Sequence, residues 1–172
     1  MKKIIFIAAF VAFTINVKAQ TTVIKPTDTA RLYHPTADAK KEIADAVVQA
    51  AKQHKNVLLQ IGGNWCIWCL RFNDLVTKDP DLDKYLRANY VIVHVNYSKE
   101  NTNQAVLAQL GYPQRFGFPV FVVLDANGNR IHTQNSEYLE NGKGHSKEKV
   151  LEFLKGWSPE AIDPKSYQDS SK

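Results

Sequence analysis

The sequence is poor in the residues and patterns that several common protein classes require. Its 172 residues include only two cysteines, too few for a four-thiolate structural zinc site. We find no internal repeat, no heptad array and no glycine-rich phosphate loop, which argues against repeat proteins, coiled coils and P-loop nucleotide-binding proteins. The histidines are scattered without the spacing of metal ligands. They are His34, His54, His94, His132 and His145.

Positive charge is also scarcer than the overall composition indicates. The full chain has 22 basic and 17 acidic residues, a net charge of +5. Residues 1–19 contain three of the lysines and no acid, so the rest has 22 − 3 = 19 basic against 17 acidic residues, or +2. Nucleic-acid binding usually requires a concentrated basic stripe, and none is visible here. We therefore expect no nucleic-acid partner.

The start of the chain is typical of a secretory signal peptide. Lys2-Lys3 precedes an apolar run from Ile4 to Phe13, and Ala19 is a small residue suited to cleavage. The apolar run is too short to span a bilayer comfortably, although an uncleaved anchor is the alternative. We predict that residues 1–19 are removed, that the protein is periplasmic or secreted, and that it meets the membrane only through this peptide.

The two cysteines stand close together in the stretch Asn64-Trp65-Cys66-Ile67-Trp68-Cys69. An apolar run at 57–61 predicts a buried strand, Gly62-Gly63 breaks it, and residues 70–76 have a helical pattern. The pair should therefore lie in the first turn of a helix. Unpaired N–H groups there stabilise a thiolate and lower the thiol pKa, and the thiolate is the attacking species in thiol–disulfide exchange.

The spacing of the pair suits a two-step exchange. Cys66 would be the exposed nucleophile whose thiolate attacks a substrate disulfide, and Cys69, one helical turn away, would resolve the mixed disulfide. Trp65 and Trp68 would offer apolar surface to an unfolded or extended substrate. Because Ile67 and Trp68 bring no charge or imidazole to Cys66, the motif favours a reductase or a general exchange protein over a strong oxidant.

These residues resemble the thioredoxin family, and so does Gly117-Phe118-Pro119 before the apolar run 120–124. The resemblance implies an α/β, thioredoxin-like fold with a central mixed β-sheet flanked by helices. It also implies that Pro119 is cis and opposes the cysteine pair, and that the Phe118 backbone pairs with an extended substrate. The alternative is a trans-proline at the start of an edge strand.

The resemblance also suggests how the chain is divided. The thioredoxin-like core spans residues 56–157, preceded by a lead-in and first helix at 20–55 and followed by a loose tail at 158–172. We expect a short edge strand near Leu32-Tyr33, a helix cap at Thr36, and the cap of a further helix at Asp81. We interpret His94, in a predicted strand at 90–97, as a packed or surface residue rather than a metal ligand. Hairpin strands are expected around Asn127-Gly128, and the last helix is expected after Ser146.

The sequence departs from the family pattern in two places. The family commonly has a buried acid six residues before the first cysteine, where this chain has Gln60, an amide that cannot take up a proton. The alternative is that Gln60 is only a hydrogen-bonded core amide. Residues 135–145 are longer than the family's turn, and we predict that they wall the substrate groove, with Glu137 or Glu140 as a substitute acid. A solvated polar loop is the alternative.

The sequence thus predicts an exported thiol–disulfide oxidoreductase of the reductase or isomerase type, with no metal and no other cofactor. Its partners would be disulfide-bearing proteins and a redox protein that recycles the dithiol. Two other functions stay open. Soft thiolates could carry copper, or the same fold could serve as a redox-inactive binding module with a static disulfide.

Overall fold

The computed structural model of the protein describes residues 31–171, with side chains as far as Gln168. The predicted signal peptide and the first part of the lead-in, residues 1–30, lie outside the described residues. Within the described part of the chain, no helix combines the length and the apolar character needed to cross a membrane.

Six helices and six strands follow one another along the described residues. In chain order they are α1 (Ala39–Gln53), β1 (Asn56–Gly62), α2 (Ile67–Lys78), α3 (Pro80–Asn89), β2 (Tyr90–Asn96), α4 (Gln104–Gln109), β3 (Val120–Leu124), β4 (Arg130–Asn135), β5 (Glu140–Asn141), β6 (Gly144–His145), α5 (Lys147–Gly156) and α6 (Pro159–Ile162). Short 3-10 helices occupy Pro113–Phe116, Ser136–Leu139 and Pro164–Ser171.

Four of the strands form one mixed sheet in the order β2-β1-β3-β4. β2 runs parallel to β1, whereas β3 is antiparallel to both β1 and β4. A parallel pair needs a crossover connection, and α2 and α3 provide it between β1 and β2. The predicted α/β architecture, a central mixed sheet flanked by helices, is confirmed. β5 and β6 form a separate two-stranded ribbon.

β1 lies inside the sheet and is buried along its whole length. Its side chains alternate between two cores because successive residues of a strand point to opposite faces. Leu59 and Ile61 pack with residues of α1 and α4, whereas Leu58 packs with residues of α2, α3 and α5. Gln60 shares the face of Leu58, so the one amide in this apolar run points toward α2.

Capping residues set the helix boundaries, with two differences from the sequence prediction. Asp38, not Thr36, caps α1 through a hydrogen bond to a first-turn amide. Asp79, not Asp81, caps α3, because Pro80 takes the first helical position, where its missing N–H costs nothing. Both caps are aspartates with extended backbone, the usual choice for satisfying free N–H groups.

Both ends of the described chain differ from the prediction. Leu32-Tyr33 forms a bend rather than an edge strand, because the Tyr33 backbone bonds to the Asn64 side chain instead of a neighbouring strand. The predicted loose tail contains α6 and a 3-10 helix as far as Ser171. Ser158 caps α6 by accepting a hydrogen bond from a first-turn amide, and this local bond starts the helix.

The other predicted elements are present. The Asn127-Gly128 turn joins β3 to β4, and Gly128 takes the positive φ of 83° that favours glycine. Ser146 caps α5. His94 is a half-buried, packed residue of β2, as interpreted from the sequence.

Candidate active site

The cysteine pair lies where β1 turns into α2. Cys66 is the N-cap residue of α2, and its Sγ accepts a hydrogen bond of 3.2 Å from the backbone N–H of Cys69. The two residues are joined as a disulfide, with Cα atoms 5.3 Å apart. The predicted position in the first turn of a helix is confirmed. This backbone N–H points at the sulfur that would carry negative charge after reduction.

The two sulfur-bearing residues are both well covered. Cys66 is 5% exposed and Cys69 is fully buried. The sequence predicted that Cys66 is exposed. Cys66 is more exposed than Cys69, but it is far less accessible than expected. Tyr33, Trp68 and Phe118 pack around the pair, which explains the low exposure. A substrate disulfide must therefore approach through a narrow opening at Cys66.

The proline expected opposite the pair has the expected conformation. The Phe118–Pro119 peptide bond is cis. The Phe118 side chain packs against the cluster of Tyr33, Cys66 and Cys69, so the residue before the cis bond contacts this cluster. Pro119 itself is buried, and β3 begins immediately after it.

The two tryptophans of the motif have different surroundings. Trp65 is 60% exposed, its ring meets Phe118 edge-on at 5.6 Å, and its indole N–H donates to the Tyr97 carbonyl at 2.7 Å. Trp68 is half-buried, with the Arg71 guanidinium 5.3 Å from its ring centre and the His145 ring at 5.7 Å. Trp65 and Phe118 thus form one aromatic wall, and Trp68 belongs to another.

Gly62 and Gly63 are needed for close approach rather than for an unusual backbone conformation. A Cβ on Gly62 would clash with Cys69 Sγ and would lie 3.0 Å from the Tyr33 hydroxyl oxygen. A Cβ on Gly63 would clash with the Trp65 indole and would lie 2.7 Å from the Tyr97 carbonyl oxygen. The break that the sequence shows between strand and motif therefore makes room for the site's own side chains.

Tyr33 is the site residue that sequence reasoning missed. It is fully buried beneath the cysteines. Its backbone N–H donates to Asn64 Oδ1 at 3.1 Å, and its carbonyl accepts from Asn64 Nδ2 at 2.7 Å. The amide just before the motif thus holds Tyr33 from both sides. An isolated aromatic in a polar lead-in gave no signal of this contact.

Gln60 is a buried amide with two hydrogen bonds to the surroundings of the site. Its Nε2 donates to the Tyr33 hydroxyl at 2.8 Å and to the Cys69 carbonyl at 3.0 Å. Burial raises the pKa of the Tyr33 hydroxyl well above its usual range, although the Gln60 bond partly opposes this. Tyr33 is therefore a neutral hydrogen-bonding group at any physiological pH.

The segment at 135–145 contacts the active-site helix through His145. The His145 ring meets Trp68 and Phe72 edge-on, at 5.7 and 5.3 Å. Glu137 is exposed, and a carboxylate oxygen of Glu140 accepts from the Ser136 hydroxyl at 3.3 Å. Among the described residues, no hydrogen bond links either glutamate to the cysteine pair. A substitute acid in this segment stays a prediction, without a contact to support it.

Two histidines near the site are held neutral by burial. Burial lowers the pKa of His145 to about 4, and neither of its ring nitrogens has a hydrogen-bond partner among the described residues. Burial, and secondarily the charge of His34, lowers the pKa of His94 to about 4. The His94 ring lies edge-on to Tyr33 at 5.7 Å.

The protein should lose stability as the pH falls from about 6.5 to about 4. Both histidine pKa values are lower in the folded protein than the ordinary value of 6.5, so the unfolded chain binds more protons in this window. Their contribution is complete above about pH 6.5 and declines below it. Urea unfolding at several pH values should show this decline, and His145→Leu should make it smaller while the part due to His94 stays.

The exposed His54 supplies the control for this pH prediction. His54 ends α1 with a positive φ of 54°, a conformation that asparagine tolerates. His54→Asn should keep the pH dependence of the wild type. An identical pH dependence in wild type and His145→Leu would contradict the role assigned to His145.

Residues 31–171 contain no group of three or more histidine, cysteine, aspartate or glutamate side chains arranged to hold a metal ion. The copper-carrier alternative would depend on the two cysteine sulfurs alone, and these are bonded to each other.

Comparison with known proteins agrees with this geometry. A family model described as Thioredoxin-like matches residues 38–126 of the 172, and the chain belongs to this family. It is 26% identical over 97 residues to the disulfide bond reductase DsbH of Chlamydia pneumoniae. It is 30% identical over 115 residues to the thiol:disulfide interchange protein DsbD of Pectobacterium atrosepticum. Both of these relatives thus have the names of disulfide oxidoreductases.

The extent of these matches differs. They cover 51% and 65% of this chain, but only 57% of DsbH and 19% of DsbD. Among solved structures, the fold is similar to that of a disulphide isomerase from Xylella fastidiosa Temecula1, with a TM-score of 0.65 and 23% identity. That similarity covers 74% of this chain and 97% of the other, and it concerns the fold alone.

Proposed function

We propose that this protein is an exported thiol–disulfide oxidoreductase that reduces or exchanges disulfides in extracytoplasmic proteins. The observation that carries the proposal is the environment of Cys66. Its sulfur caps α2 and accepts the Cys69 N–H at 3.2 Å. Cys66 also belongs to the cluster against which Phe118, the residue before cis-Pro119, packs. A helix N-terminus stabilises a thiolate, and the thiolate is the reactive form.

Exchange begins when the Cys66 thiolate attacks a substrate disulfide. A mixed disulfide forms, and the other substrate sulfur leaves as a thiolate. Cys69 then attacks Cys66 Sγ, which restores the internal disulfide and releases the second substrate sulfur. Because Cys69 is fully buried and Cys66 is slightly exposed, the first attack falls to Cys66.

The substrate would lie across Trp65, Phe118 and Pro119, with Trp68 at its far side. Trp65 is mostly exposed and packs edge-on against Phe118, so it offers an apolar surface next to Cys66. The backbone before the cis bond can pair with an extended segment as a short added strand. This surface suits an unfolded or extended protein segment that bears a disulfide.

The reductase direction has two supports. The residues between the cysteines, Ile67 and Trp68, provide no positive charge that would specially stabilise a reduced Cys66. A relative bears the printed name of a disulfide bond reductase. Export is inferred from the charged and apolar start of the sequence, and a working reductase outside the cytosol needs a redox partner that returns it to the dithiol form.

The reduction potential of the protein without residues 1–19 tests this proposal. The protein is equilibrated in glutathione buffers of graded ratio, and its thiols are trapped and counted. A potential near or below roughly −230 mV would support a reductase, and one of about −120 to −180 mV would indicate an oxidase or isomerase. Cys69→Ser, which cannot form the internal bond, is the control. Absence of a reversible transition in the wild type would refute the proposal.

A further inference from the structure

We infer that the Tyr33 hydroxyl donates a hydrogen bond to the Cys69 sulfur in the reduced protein and so stabilises the thiolate that completes the exchange. This inference rests on the proposed exchange between Cys66 and Cys69. It assigns a chemical role to a residue far from the motif in the sequence. Three features of the structure carry it: the rigid placement of Tyr33, the state of its hydroxyl, and the space above Gly62.

The backbone and the side chain of Tyr33 are both held in place by contacts. Both of its backbone polar groups bond to the Asn64 side chain, which lies two positions before Cys66. Its side chain is fully buried in a cluster with Cys66 and Cys69. A group held this way needs little reordering to act on the neighbouring sulfur.

Among residues 31–168, the Tyr33 hydroxyl accepts one hydrogen bond and has no acceptor for its own hydrogen. Its oxygen accepts from Gln60 Nε2 at 2.8 Å. Gln60 Nε2 also donates to the Cys69 carbonyl at 3.0 Å, which ties the hydroxyl to the backbone of Cys69. A buried donor without an acceptor is costly, and a sulfur anion beside it would remove that cost.

Because Gly62 has no side chain, the Tyr33 hydroxyl and the Cys69 sulfur face the same small space. A Cβ at this position would clash with Cys69 Sγ and would lie 3.0 Å from Tyr33 Oη. Any larger residue would separate these two atoms. In the disulfide form Cys69 Sγ is bonded to Cys66, and reduction makes it an acceptor with full thiol or thiolate character.

The step in which Tyr33 acts is the second half of the exchange. Cys69 gives its proton to the thiolate that the substrate released in the first attack. The Cys69 thiolate then attacks Cys66 Sγ, the bond between Cys66 and the substrate sulfur breaks, and that sulfur leaves with the electron pair. Two electrons pass in all from the cysteine pair to the substrate disulfide. Tyr33 keeps its proton throughout and only donates a hydrogen bond.

Few other titratable groups face this hydroxyl. Within residues 31–168, the titratable side chains grouped with Tyr33 are the two cysteines of its cluster and the His94 ring of β2, at 5.7 Å between ring centres, with His34 acting on His94 through its charge. The amide of Gln60, which bonds to the hydroxyl, is neutral. Burial keeps the pKa of His94 at about 4, so the ring is uncharged above that pH. A pH profile measured near neutrality therefore reports mainly on the cysteines.

Tyr33→Phe tests the inference because it removes only the hydroxyl. The reduced protein is mixed with dithiobis(nitrobenzoate), an aromatic disulfide that releases one coloured thiolate at the first attack and a second when Cys69 resolves the mixed disulfide. We expect the second phase to slow about tenfold near neutral pH and its pH midpoint to rise by about one unit. The first phase reports the Cys66 attack separately.

Tyr90→Phe is the matched control. Tyr90 is also a buried tyrosine, and its hydroxyl donates to the Leu154 carbonyl at 2.6 Å, away from the cysteine cluster. It should cost stability without changing the second phase. An unchanged second-phase rate and pH midpoint in Tyr33→Phe would overturn the inference. Absence of the first phase in the wild type would instead refute the proposed exchange itself.

A measurement that leaves Tyr33 in place decides the question if Tyr33→Phe does not fold. In reduced protein with isotope-labelled tyrosine, the ring carbon bearing the hydroxyl of one buried tyrosine should shift as Cys69 ionises. The Cys66→Ser background leaves Cys69 as the only thiol, so the midpoint belongs to that sulfur. A tyrosine spectrum that stays constant through the thiol titration would overturn the inference.

Discussion

Replacing Cys66 with serine should lower the rate of insulin reduction by about a thousandfold or more, because it removes the attacking thiolate. Serine is a good helix N-cap, so its hydroxyl can take over the bond from the Cys69 N–H that Cys66 Sγ now accepts. The fold should therefore survive. Turbidity of insulin with a dithiol donor measures the activity, and circular dichroism checks the fold.

Cys69→Ser is the informative companion to this variant. It keeps the attacking sulfur but has no resolving thiol, so it should accumulate mixed disulfides with its substrates. Mass spectrometry of protein isolated after acid quenching would detect them. A Cys66→Ser protein that still reduces insulin, or one that traps substrate in place of Cys69→Ser, would contradict the assigned order of attack.

Replacing Phe72 with alanine should destabilise the protein by about 3–5 kcal/mol, the usual cost of emptying a buried phenylalanine site. Phe72 lies on α2 and is 1% exposed. Its ring is 4.3 Å from that of Phe121 in β3 and 5.3 Å from that of His145 in β6. It thus joins the helix that carries the cysteine pair to the sheet and to the ribbon. Urea unfolding of the oxidised protein measures the loss.

Two further variants show whether the loss of stability comes from the buried Phe72 ring. Phe72→Leu keeps most of the apolar volume and should cost clearly less than Phe72→Ala. Phe116→Ala removes a ring that is already well exposed, and it should change the free energy of unfolding by only about 0.5 kcal/mol. A loss below about 1 kcal/mol for Phe72→Ala would show that α2 is held mainly by other contacts.

Aromatic packing also explains why Cys66 is less exposed than the sequence predicted. Trp65 and Phe118 stand on one side of the pair, and Trp68 is drawn to the other side by His145 and Arg71. The sequence grouped these aromatics as one substrate surface. Their division follows from the start of α2, because Trp65 lies in the turn before the N-cap residue Cys66 whereas Trp68 lies in the first turn of the helix.

Features that depend on neighbouring residues were predictable from the sequence. The pair at the start of α2 follows from an apolar strand, a glycine break and a helical pattern within some twenty residues. The Asn127-Gly128 hairpin and the Ser146 cap are similarly local. The cis bond before Pro119 required the family resemblance as well, since an X–Pro bond is usually trans.

The surroundings of the cysteines were decided by the tertiary structure alone. Tyr33 and Gln60 are 27 positions apart, and Tyr33 and Asn64 are 31 apart, yet all three meet beneath the motif. His145 contacts Phe72 of α2 from the β5-β6 ribbon, which no periodic pattern in the sequence predicts. Periodicity and capping are set by bonds within a few residues, so the sequence alone determined the strand, the helix and the position of the thiols. Which distant side chains fill the space around those thiols depends on how the packed layers meet, and only the folded chain brings them together.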